Sequence, residues 1–474
     1  IYSRVLYSKI QYSRVYELVE GMRCPFLDRS LELEALERAF QERPSFVVVY
    51  GRRRIGKTML LREWISRNRN KVKPIYYLAQ LTSHEHNLSL MAEAAYKQLG
   101  EDALMGLRAR RLTDILNMLS RLGANVIVID EFTYWVRSYE GVLSELQEYV
   151  DLYMDRYDVL LVISGSLVGL MEERVLGGGS PLYARAASRL RLDPLPFKYL
   201  KILLPGWDPV DRVRLYSIIG GIPFYYCLVQ GAGSLREAVR RLLLSIDSPL
   251  LAEKDLLLRE HFRELHAYNA VLSALARGYN TPGKIAGVAG IEVGYANKIL
   301  HTLEALGFIE RMRPLHARRG FYRVKDPILR TWYSLVEPIL SLLEIGLHRE
   351  AEERVLEMLD SHTASAWEQL VGEYLYRLYA PRGYRLVGPA IRHGEEIDVV
   401  LLDEARERAI VAEAKWSDVT PLEVERIRRR VLRKAGLVLP RGVEVERVYI
   451  AVRSVRGAPP DDVITPWQVE EEPV

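Results

Sequence analysis

Two kinds of apolar pattern alternate in the first part of the chain. Short, almost unbroken apolar runs lie at 45–50 (SFVVVY), 126–132 (VIVIDEF) and 158–166 (DVLLVISGS), and such runs are typical of buried strands in a parallel sheet. The segment 57–68 (KTMLLREWISRN) carries apolar residues at helical spacing instead. The pattern predicts an α/β domain built on a parallel sheet.

The pattern differs farther along the chain. Residues 206–265 carry leucine and arginine at helical spacing and predict a set of helices. Residues 266–325 predict three short helices followed by two strands around a basic turn, which is the arrangement of a winged helix-turn-helix. Toward the C-terminus, 365–379 predicts a helix, and 395–403 and 408–418 predict strands.

A glycine-rich turn joins the first predicted strand to its helix. Gly51 and Gly56 are separated by four residues, and Lys57 and Thr58 follow directly. In a strand–loop–helix context this spacing lets backbone N–H groups cradle phosphate. Lys57 is then expected to reach the β and γ phosphates, and Thr58 to offer its hydroxyl to Mg²⁺. The sequence therefore predicts a nucleotide site.

Acidic and hydroxyl side chains end the next two predicted strands. Asp130 and Glu131 follow VIVI, where Asp130 is expected to hold Mg²⁺ through water and Glu131 to orient the attacking water. Ser164 and Ser166 end the third strand at the same edge of the sheet. Two interpretations fit the serines: a sensor of the γ-phosphate, or caps of the following helix.

Further motifs around these strands carry a family resemblance. FLDRSLELEAL (26–36), SPLYARA (180–186) and GGIPFYY (220–226) occur in order with the glycine loop and the acidic strand. Residues 23–360 thereby resemble the archaeal ATPase family, which lies near the STAND-like signalling ATPases in the AAA+ branch. The resemblance implies that the nucleotide is ATP.

The resemblance also assigns roles to three residues. It implies that Arg29 lies near the adenine, that Pro223 contacts the nucleotide from a helical lid, and that Arg185 points at the γ-phosphate. A guanidinium there would stabilise charge spreading over the phosphoryl oxygens. A surface salt bridge is the alternative role for Arg185. Family members more often have glycine where this chain has Ala184.

A second group of chemically informative residues lies near the C-terminus. Asp398 is followed, after fourteen residues, by Glu413 and Lys415, and the latter two share one face of a strand because side chains alternate along it. A hairpin would bring the two strands to one metal site. Asp398 and Glu413 are expected to bind Mg²⁺ or Mn²⁺, Glu368 to complete the site, and Lys415 to activate water or to steady developing charge.

This constellation resembles the PD-(D/E)xK restriction-endonuclease-like superfamily over residues 361 to 455. The resemblance implies a metal-dependent nuclease, with the basic segment 426–436 as a helix that meets the phosphate backbone. Residues 361–474 contain 17 Lys and Arg against 19 Asp and Glu, which argues against broad nonspecific DNA affinity. The alternative is a buried ion-pair cluster left from an inactive nuclease.

The predicted winged helix-turn-helix suggests contact with double-stranded DNA through residues 266–325. The side chains expected on its recognition face are Tyr295, Asn297, Lys298 and His301. The basic side chains expected on its wing are Arg311, Arg313, His316, Arg318, Arg319, Arg323 and Lys325. Docking of a protein partner is the alternative use of such a module.

The composition of the chain limits the class of protein and the cellular compartment that fit it. The net charge of +4 is too small to indicate nucleic-acid binding by the whole chain, and no apolar run approaches the roughly 18 to 20 residues of a membrane span. Two cysteines are too few for a disulfide framework or a zinc site, which fits a reducing cytoplasm. Lysine supplies only 13 of the 66 basic residues, a bias compatible with a thermophile.

The predicted fold is α/β and multidomain: a P-loop ATPase with a parallel sheet and helical lid, a winged helix-turn-helix, and a small C-terminal α/β nuclease-like domain. The expected boundaries are an extension at 1–22 that makes Met22 the natural start, an ATPase core at 23–205, a lid at 206–265, the winged module at 266–335, a helical linker at 336–360 and the terminal domain at 361–474.

The expected function is an ATP-hydrolysing, DNA-associated enzyme of the cytoplasm with metal-dependent nuclease activity. One alternative is a STAND-like signalling switch with an inactive docking domain, protein partners and a changeable oligomeric state. The other is a nucleotide-responsive DNA-binding regulator.

Overall fold

The structure, a computed structural model, describes residues 25–471 except 105, 108, 246–247, 316–319, 406 and 458. The expected extension and Met22 lie outside this part of the chain. The described residues divide into two compact units: the N-terminal unit Phe26–Pro194, and the C-terminal unit, which comprises the described residues from Leu195 onward together with Pro25. Within the described residues, no helix combines the length and apolar character needed to cross a membrane.

A five-stranded parallel sheet forms the centre of the N-terminal unit. Its strand order is β2-β3-β4-β1-β5, and every neighbouring pair runs parallel. The predicted apolar runs are its central strands. The strands are β1 Ser45–Tyr50, β2 Pro74–Leu78, β3 Val126–Asp130, β4 Leu160–Gly165 and β5 Ser188–Arg191.

Helices cover both faces of this sheet. Alternate residues of β1 enter different cores: Phe46 and Val48 pack on one side, Val47 and Val49 on the other. Because neither face of such a strand meets solvent, its side chains are apolar on both faces and its sequence is an unbroken apolar run. The helices are α1 Ser30–Gln41, α2 Lys57–Arg67, α3 His84–Leu99, α4 Leu112–Arg121, α5 Phe132–Ser138, α6 Val142–Leu152 and the short α7 Val168–Leu170.

The C-terminal unit begins with short helices, as the pattern of 206–265 predicts. The two that start at Pro209 and Pro249 each follow an Asp or Ser side chain that accepts a backbone N–H, a combination that favours helix initiation. They are α8 Leu200–Leu203, α9 Pro209–Ile219, α10 Pro223–Leu228, α11 Leu235–Val239 and α12 Pro249–Arg259.

Three helices and a strand pair then follow in the order that the sequence predicts for 266–325. The helices are α13 His266–Ala276, α14 Pro282–Ala289 and α15 Val293–Ala305. The antiparallel strands are β6 Ile309–Met312 and β7 Phe321–Val324. Short helices α16 Pro327–Thr331 and α17 Leu340–Glu344 lead to the last part of the chain.

One long helix, α18 His348–Tyr379, crosses the boundary expected at 360/361, so the expected linker and the start of the terminal domain share one helix. Behind it lies a mixed sheet of order β12-β11-β10-β9-β8. The strands are β8 Arg385–Arg392, β9 Glu395–Asp403, β10 Arg408–Val419, β11 Glu444–Val455 and β12 Val463–Ile464. Helix α19 Pro421–Val438 packs on the sheet, and α20 Pro466–Glu470 closes the described chain.

Leu315, three residues after the end of β6, reaches the edge of this sheet. The backbone N–H of Leu315 donates to the carbonyl of Pro389 over 3.1 Å, and Leu315 forms a parallel bridge with Ala390 of β8. The Leu315 side chain is partly buried against the core of the terminal sheet. The β6–β7 hairpin and β8 are therefore in direct backbone contact within the C-terminal unit.

Candidate functional site

The glycine loop runs from the end of β1 to the start of α2. Gly56 occupies the left-handed region at the N-cap of α2, with φ of 104°, where a side chain would be strained. Lys57 is buried, and its Nζ donates to the carbonyls of Gly51 at 3.0 Å and Arg52 at 3.3 Å. The ammonium group therefore lies over the loop that precedes it, in the place where phosphate oxygens would replace these carbonyls.

Asp130 at the end of β3 is fully buried, and its carboxylate accepts hydrogen bonds from surrounding hydroxyl groups. Thr58 Oγ1 donates to Oδ2 over 2.7 Å, and the Tyr76 hydroxyl donates to the same oxygen. Ser164 Oγ and the N–H of Glu131 donate to Oδ1. The predicted Mg²⁺ ligands Thr58 and Asp130 are thus adjacent, and a hydroxyl beside a carboxylate is an oxygen donor set that suits this ion.

Glu131 is held in an unusual conformation beside the loop. Its φ is 51°, in the left-handed region that non-glycine residues rarely adopt. Its Oε2 accepts from Ser166 Oγ at 2.6 Å and from Ser166 N at 3.1 Å, and its Oε1 lies 3.8 Å from Lys57 Nζ. Two groups with predicted phosphate roles therefore hold the carboxylate expected to orient water.

The two serines of β4 do not cap the following helix. Helix α7 begins after Leu167, and no side chain caps its N-terminus. Ser164 donates to Asp130 and Ser166 to Glu131, so both hydroxyls face the acidic pair. Between them, Gly165 leaves no room for a side chain, because a Cβ would lie 2.6 Å from Met171 Sδ.

Arg29 is buried and contacts backbone carbonyls. Its guanidinium donates to the carbonyl of Asp193 over 2.7 Å and to that of Ile55, inside the glycine loop, over 3.4 Å. A further nitrogen pairs with Glu32 at 3.3 Å. The residue therefore ties the loop to the chain segment after β5.

Arg185 forms a salt bridge in the structure. Its Nε and Nη2 donate to the two carboxylate oxygens of Asp151, at the end of α6, over 2.7 and 2.8 Å. The guanidinium lowers the pKa of the Asp151 carboxyl through these hydrogen bonds. The preceding Ala184 has φ of 60°, a conformation that favours glycine, which explains why glycine suits this position. Pro223 belongs to the C-terminal unit, where it is the first residue of α10.

The predicted hairpin of the terminal domain is present. Strands β9 and β10 pair antiparallel, with Val399 opposite Ala412, so Asp398 and Glu413 lie on neighbouring strands. Lys415 Nζ lies 3.1 Å from Glu413 Oε1 and 3.7 Å from Asp398 Oδ2. Burial and the nearby Glu413 charge raise the pKa of Asp398. These three side chains converge as expected.

Glu368 on α18 belongs to the same electrostatic cluster. Burial, followed by the charge of Asp398, raises the pKa of Glu368 to about 7. Burial alone lowers the pKa of Lys415, but the charges of Asp398 and Glu413 outweigh it and raise that pKa above its ordinary value. Lys415 therefore lies among three carboxyl groups, in which the charge of Asp398 acts on Glu368 and that of Glu413 acts on Asp398.

Two basic residues that were expected to meet phosphate face the cluster instead. Lys434 Nζ lies 3.2 Å from Glu413 Oε2 and donates to the carbonyl of Glu396 over 2.7 Å. Arg430 reaches the same carboxylate at 3.4 Å. Both lie on α19, and the spacing of four residues puts them on one face of that helix. The sequence alone did not indicate that both residues pair with Glu413 of β10.

These contacts bear on the predicted second metal site. Glu413 is only 2% exposed, and Lys415, Arg430 and Lys434 occupy its oxygens. Across the described ranges, no three His, Cys, Asp or Glu side chains are grouped so that they could hold a metal ion. In this arrangement the carboxylate of Glu413 is ion-paired with three basic side chains, and its role as a ligand of a second metal stays a prediction.

The recognition face predicted for α15 is exposed. Tyr295 is 49% accessible, and Asn297, Lys298 and His301 are exposed as well. On the hairpin, Arg311, Arg313 and Lys325 are exposed, while Arg323 pairs with Glu310. His316, Arg318 and Arg319 lie outside the described residues.

Comparison with known proteins identifies two domain families in the chain. A family described as an ATPase domain predominantly from Archaea matches residues 26–228, and a family of archaeal and bacterial proteins of unknown function matches residues 332–427. An uncharacterized protein of Methanocaldococcus jannaschii is 30% identical over 441 residues, covering 90% of this chain and 95% of that protein. An uncharacterized ATP-binding protein of the same organism is 40% identical over 52 residues, which cover 11% of this chain and 88% of that protein.

Solved structures align over about two thirds of the chain. A Walker-type ATPase of Pyrococcus abyssi has a TM-score of 0.49 at 20% identity, covering 66% of this chain and 97% of that one. The ORC2 protein of Aeropyrum pernix has a TM-score of 0.48 at 16% identity, covering 70% and 98% respectively.

Proposed function

This chain carries an archaeal ATPase domain at residues 26–228 and belongs to one family with the M. jannaschii protein that is 30% identical to it, and from that premise we propose that it binds ATP with Mg²⁺ at the glycine loop and hydrolyses it. One observation carries the proposal: Lys57, Thr58, Asp130 and Glu131 meet at the carboxyl edge of a parallel sheet, where open α/β folds bind ligands.

Each residue has a distinct part in this proposal. Lys57 exchanges its two loop carbonyls for phosphate oxygens, and the N-terminus of α2 adds its N–H groups. Thr58 and Asp130 would hold Mg²⁺, and bound Mg²⁺ supplies charge neutralisation and alignment of the phosphates. Glu131 orients the attacking water after Ser166 and Lys57 turn to the nucleotide.

The test is nucleotide binding and phosphate release by Lys57→Ala. Loss of the ammonium group is expected to abolish tight ATP binding and hydrolysis. Lys71→Ala, which removes an exposed lysine after α2, is the matched control and should behave as wild type. Unchanged ATP affinity in Lys57→Ala would mean that the loop does not bind phosphate.

A second proposal is that residues 266–325 act as a winged helix-turn-helix that contacts double-stranded DNA. The exposed Tyr295, Asn297, Lys298 and His301 of α15 support it, because base contacts require polar side chains free to enter a groove. Lys298→Ala should weaken binding of a labelled duplex in fluorescence anisotropy, with Lys71→Ala as control. A sequence-selective footprint would favour a DNA-binding regulator.

For the terminal domain we infer a docking role. The ion pairs of Glu413 with Lys415, Arg430 and Lys434 support this alternative over a metal-dependent nuclease. We expect no cleavage of a labelled duplex or single strand with Mg²⁺ or Mn²⁺, with or without ATP. Cutting that disappears in both Asp398→Ala and Lys415→Ala would restore the nuclease. A nucleotide-dependent change in oligomer size without cutting would support a signalling switch.

A further inference from the structure

A tyrosine outside every recognised motif contacts the acidic centre of the nucleotide site. Tyr76 lies on β2 opposite Val128 of β3, and its hydroxyl donates to Oδ2 of Asp130. Burial and the Asp130 charge raise the pKa of this hydroxyl, so it keeps its proton. The hydroxyl can therefore donate to the carboxylate at neutral pH.

The strands that flank β3 hold Asp130 from both sides. From β2, Tyr76 donates to Oδ2; from β4, Ser164 donates to Oδ1. One donor on each oxygen fixes both the plane and the rotation of the carboxylate. Thr58 shares Oδ2 with Tyr76, so the tyrosine determines where the carboxylate oxygen lies next to the threonine hydroxyl.

We propose that Tyr76 is a positioning residue for magnesium-dependent nucleotide binding, acting through Asp130. The inference rests on the proposed function, because it needs Mg²⁺–ATP at the glycine loop. Groups that orient a metal-binding carboxylate commonly change metal affinity about 10- to 100-fold when they are removed. Tyr76 would act in this way without touching the nucleotide.

The adjacent residue supplies a matched control. Tyr77 also lies on β2 and donates a buried hydroxyl hydrogen bond, to Asn87 Oδ1 over 2.6 Å, on the opposite side of the sheet. Tyr76→Phe and Tyr77→Phe each remove one buried hydroxyl and keep the ring. A stability effect should therefore appear in both variants, whereas an effect on magnesium should appear only in Tyr76→Phe.

The experiment is a Mg²⁺ titration of the binding of a fluorescent ATP analogue to the full chain, with a second measurement in EDTA. In Tyr76→Phe we expect the Mg²⁺ concentration for half-maximal binding to rise about tenfold, with unchanged affinity in EDTA. Ser164→Ala, which removes one of the two donors to the other oxygen, should shift this concentration in the same direction. Tyr77→Phe should titrate as wild type does.

The outcomes distinguish failure of the positioning role of Tyr76 from failure of the proposed function. If Tyr76→Phe titrates as Tyr77→Phe and wild type do, the positioning role is overturned while nucleotide binding stands. If wild type itself binds the analogue without any response to Mg²⁺, or does not bind it, the proposed function fails and this inference fails with it.

Discussion

Ser166 donates two hydrogen bonds to one oxygen of Glu131, from its hydroxyl over 2.6 Å and from its backbone N–H over 3.1 Å. The other oxygen of Glu131 lies 3.8 Å from Lys57 Nζ. The carboxylate is thus held by the two groups that are proposed to contact phosphate. If ATP binds at this loop as proposed, it competes with these contacts, and this competition would couple the loop to the acidic strand.

Replacement of Glu131 by glutamine should separate binding from turnover. Glu131→Gln keeps the size and the Ser166 contact but removes the negative charge that orients water. We expect hydrolysis to fall about 10²-fold or more while ATP affinity changes little. Phosphate release and analogue binding measure the two quantities. Hydrolysis at the wild-type rate would exclude Glu131 from this role.

Ser166→Ala tests the contact itself. The variant loses the 2.6 Å hydrogen bond but keeps the backbone N–H donor to Glu131. We expect kcat to fall about tenfold with a smaller change in KM, because the proposed contact of the hydroxyl with the γ-phosphate would strengthen as charge develops in the transition state. Steady-state kinetics measures both constants. A change in KM alone would indicate that the serine serves only ground-state binding.

Arg185 and Asp151 can be tested as a pair. If Arg185 stabilises phosphoryl charge, Arg185→Ala should lower hydrolysis about 10²-fold, while Asp151→Ala, which only frees the arginine, should not lower it. As a surface salt bridge alone, the pair would contribute about 0–1 kcal/mol to stability, and both variants would hydrolyse ATP normally. Hydrolysis rates and unfolding curves of the two variants distinguish these roles.

His362 should make the C-terminal unit sensitive to acid. It is buried between α18 and α9, its Nε2 donates to the carbonyl of Ser217 over 2.9 Å, and burial, aided by the Arg330 charge, lowers its pKa to about 3. The unfolded chain binds a proton near pH 6.5, whereas the folded chain does not, so stability falls as pH drops below 6.5.

We expect this histidine to cost about 2–3 kcal/mol between pH 7 and 4.5 in wild type. Urea unfolding at both pH values should show a smaller loss in His362→Gln. His348→Gln, at the exposed start of α18, is the control and should follow wild type. An equal loss in all three proteins would contradict the assignment of acid sensitivity to His362.

The local sequence pattern was sufficient to predict much of the proposed nucleotide site. β1, β3 and β4 are unbroken apolar runs, and parallel strands bring their carboxyl ends to one edge, so the meeting of Lys57, Asp130 and Ser166 follows from the sequence. The hairpin of Asp398 and Glu413 follows from strand alternation in the same way.

Contacts that depend on the order of strands or the placement of helices could not be predicted from the local sequence pattern. Tyr76 sits in a strand that reads as ordinary core, and its role appears only because β2 lies beside β3. Lys434 and Arg430 look like exposed basic residues until α19 is placed over Glu413. The long helix α18 also carries no breaker at 360, where the start of the nuclease-like domain was expected.

The bridge between Leu315 and Ala390 has a consequence for solubility and for assembly. Strand β8 is the outermost strand of its sheet, and an uncovered edge offers unpaired N–H and C=O groups to any extended chain. Leu315 occupies part of that edge. Loss of the Leu315 contact would therefore leave this part of the β8 edge unpaired and open to strand addition by another extended chain.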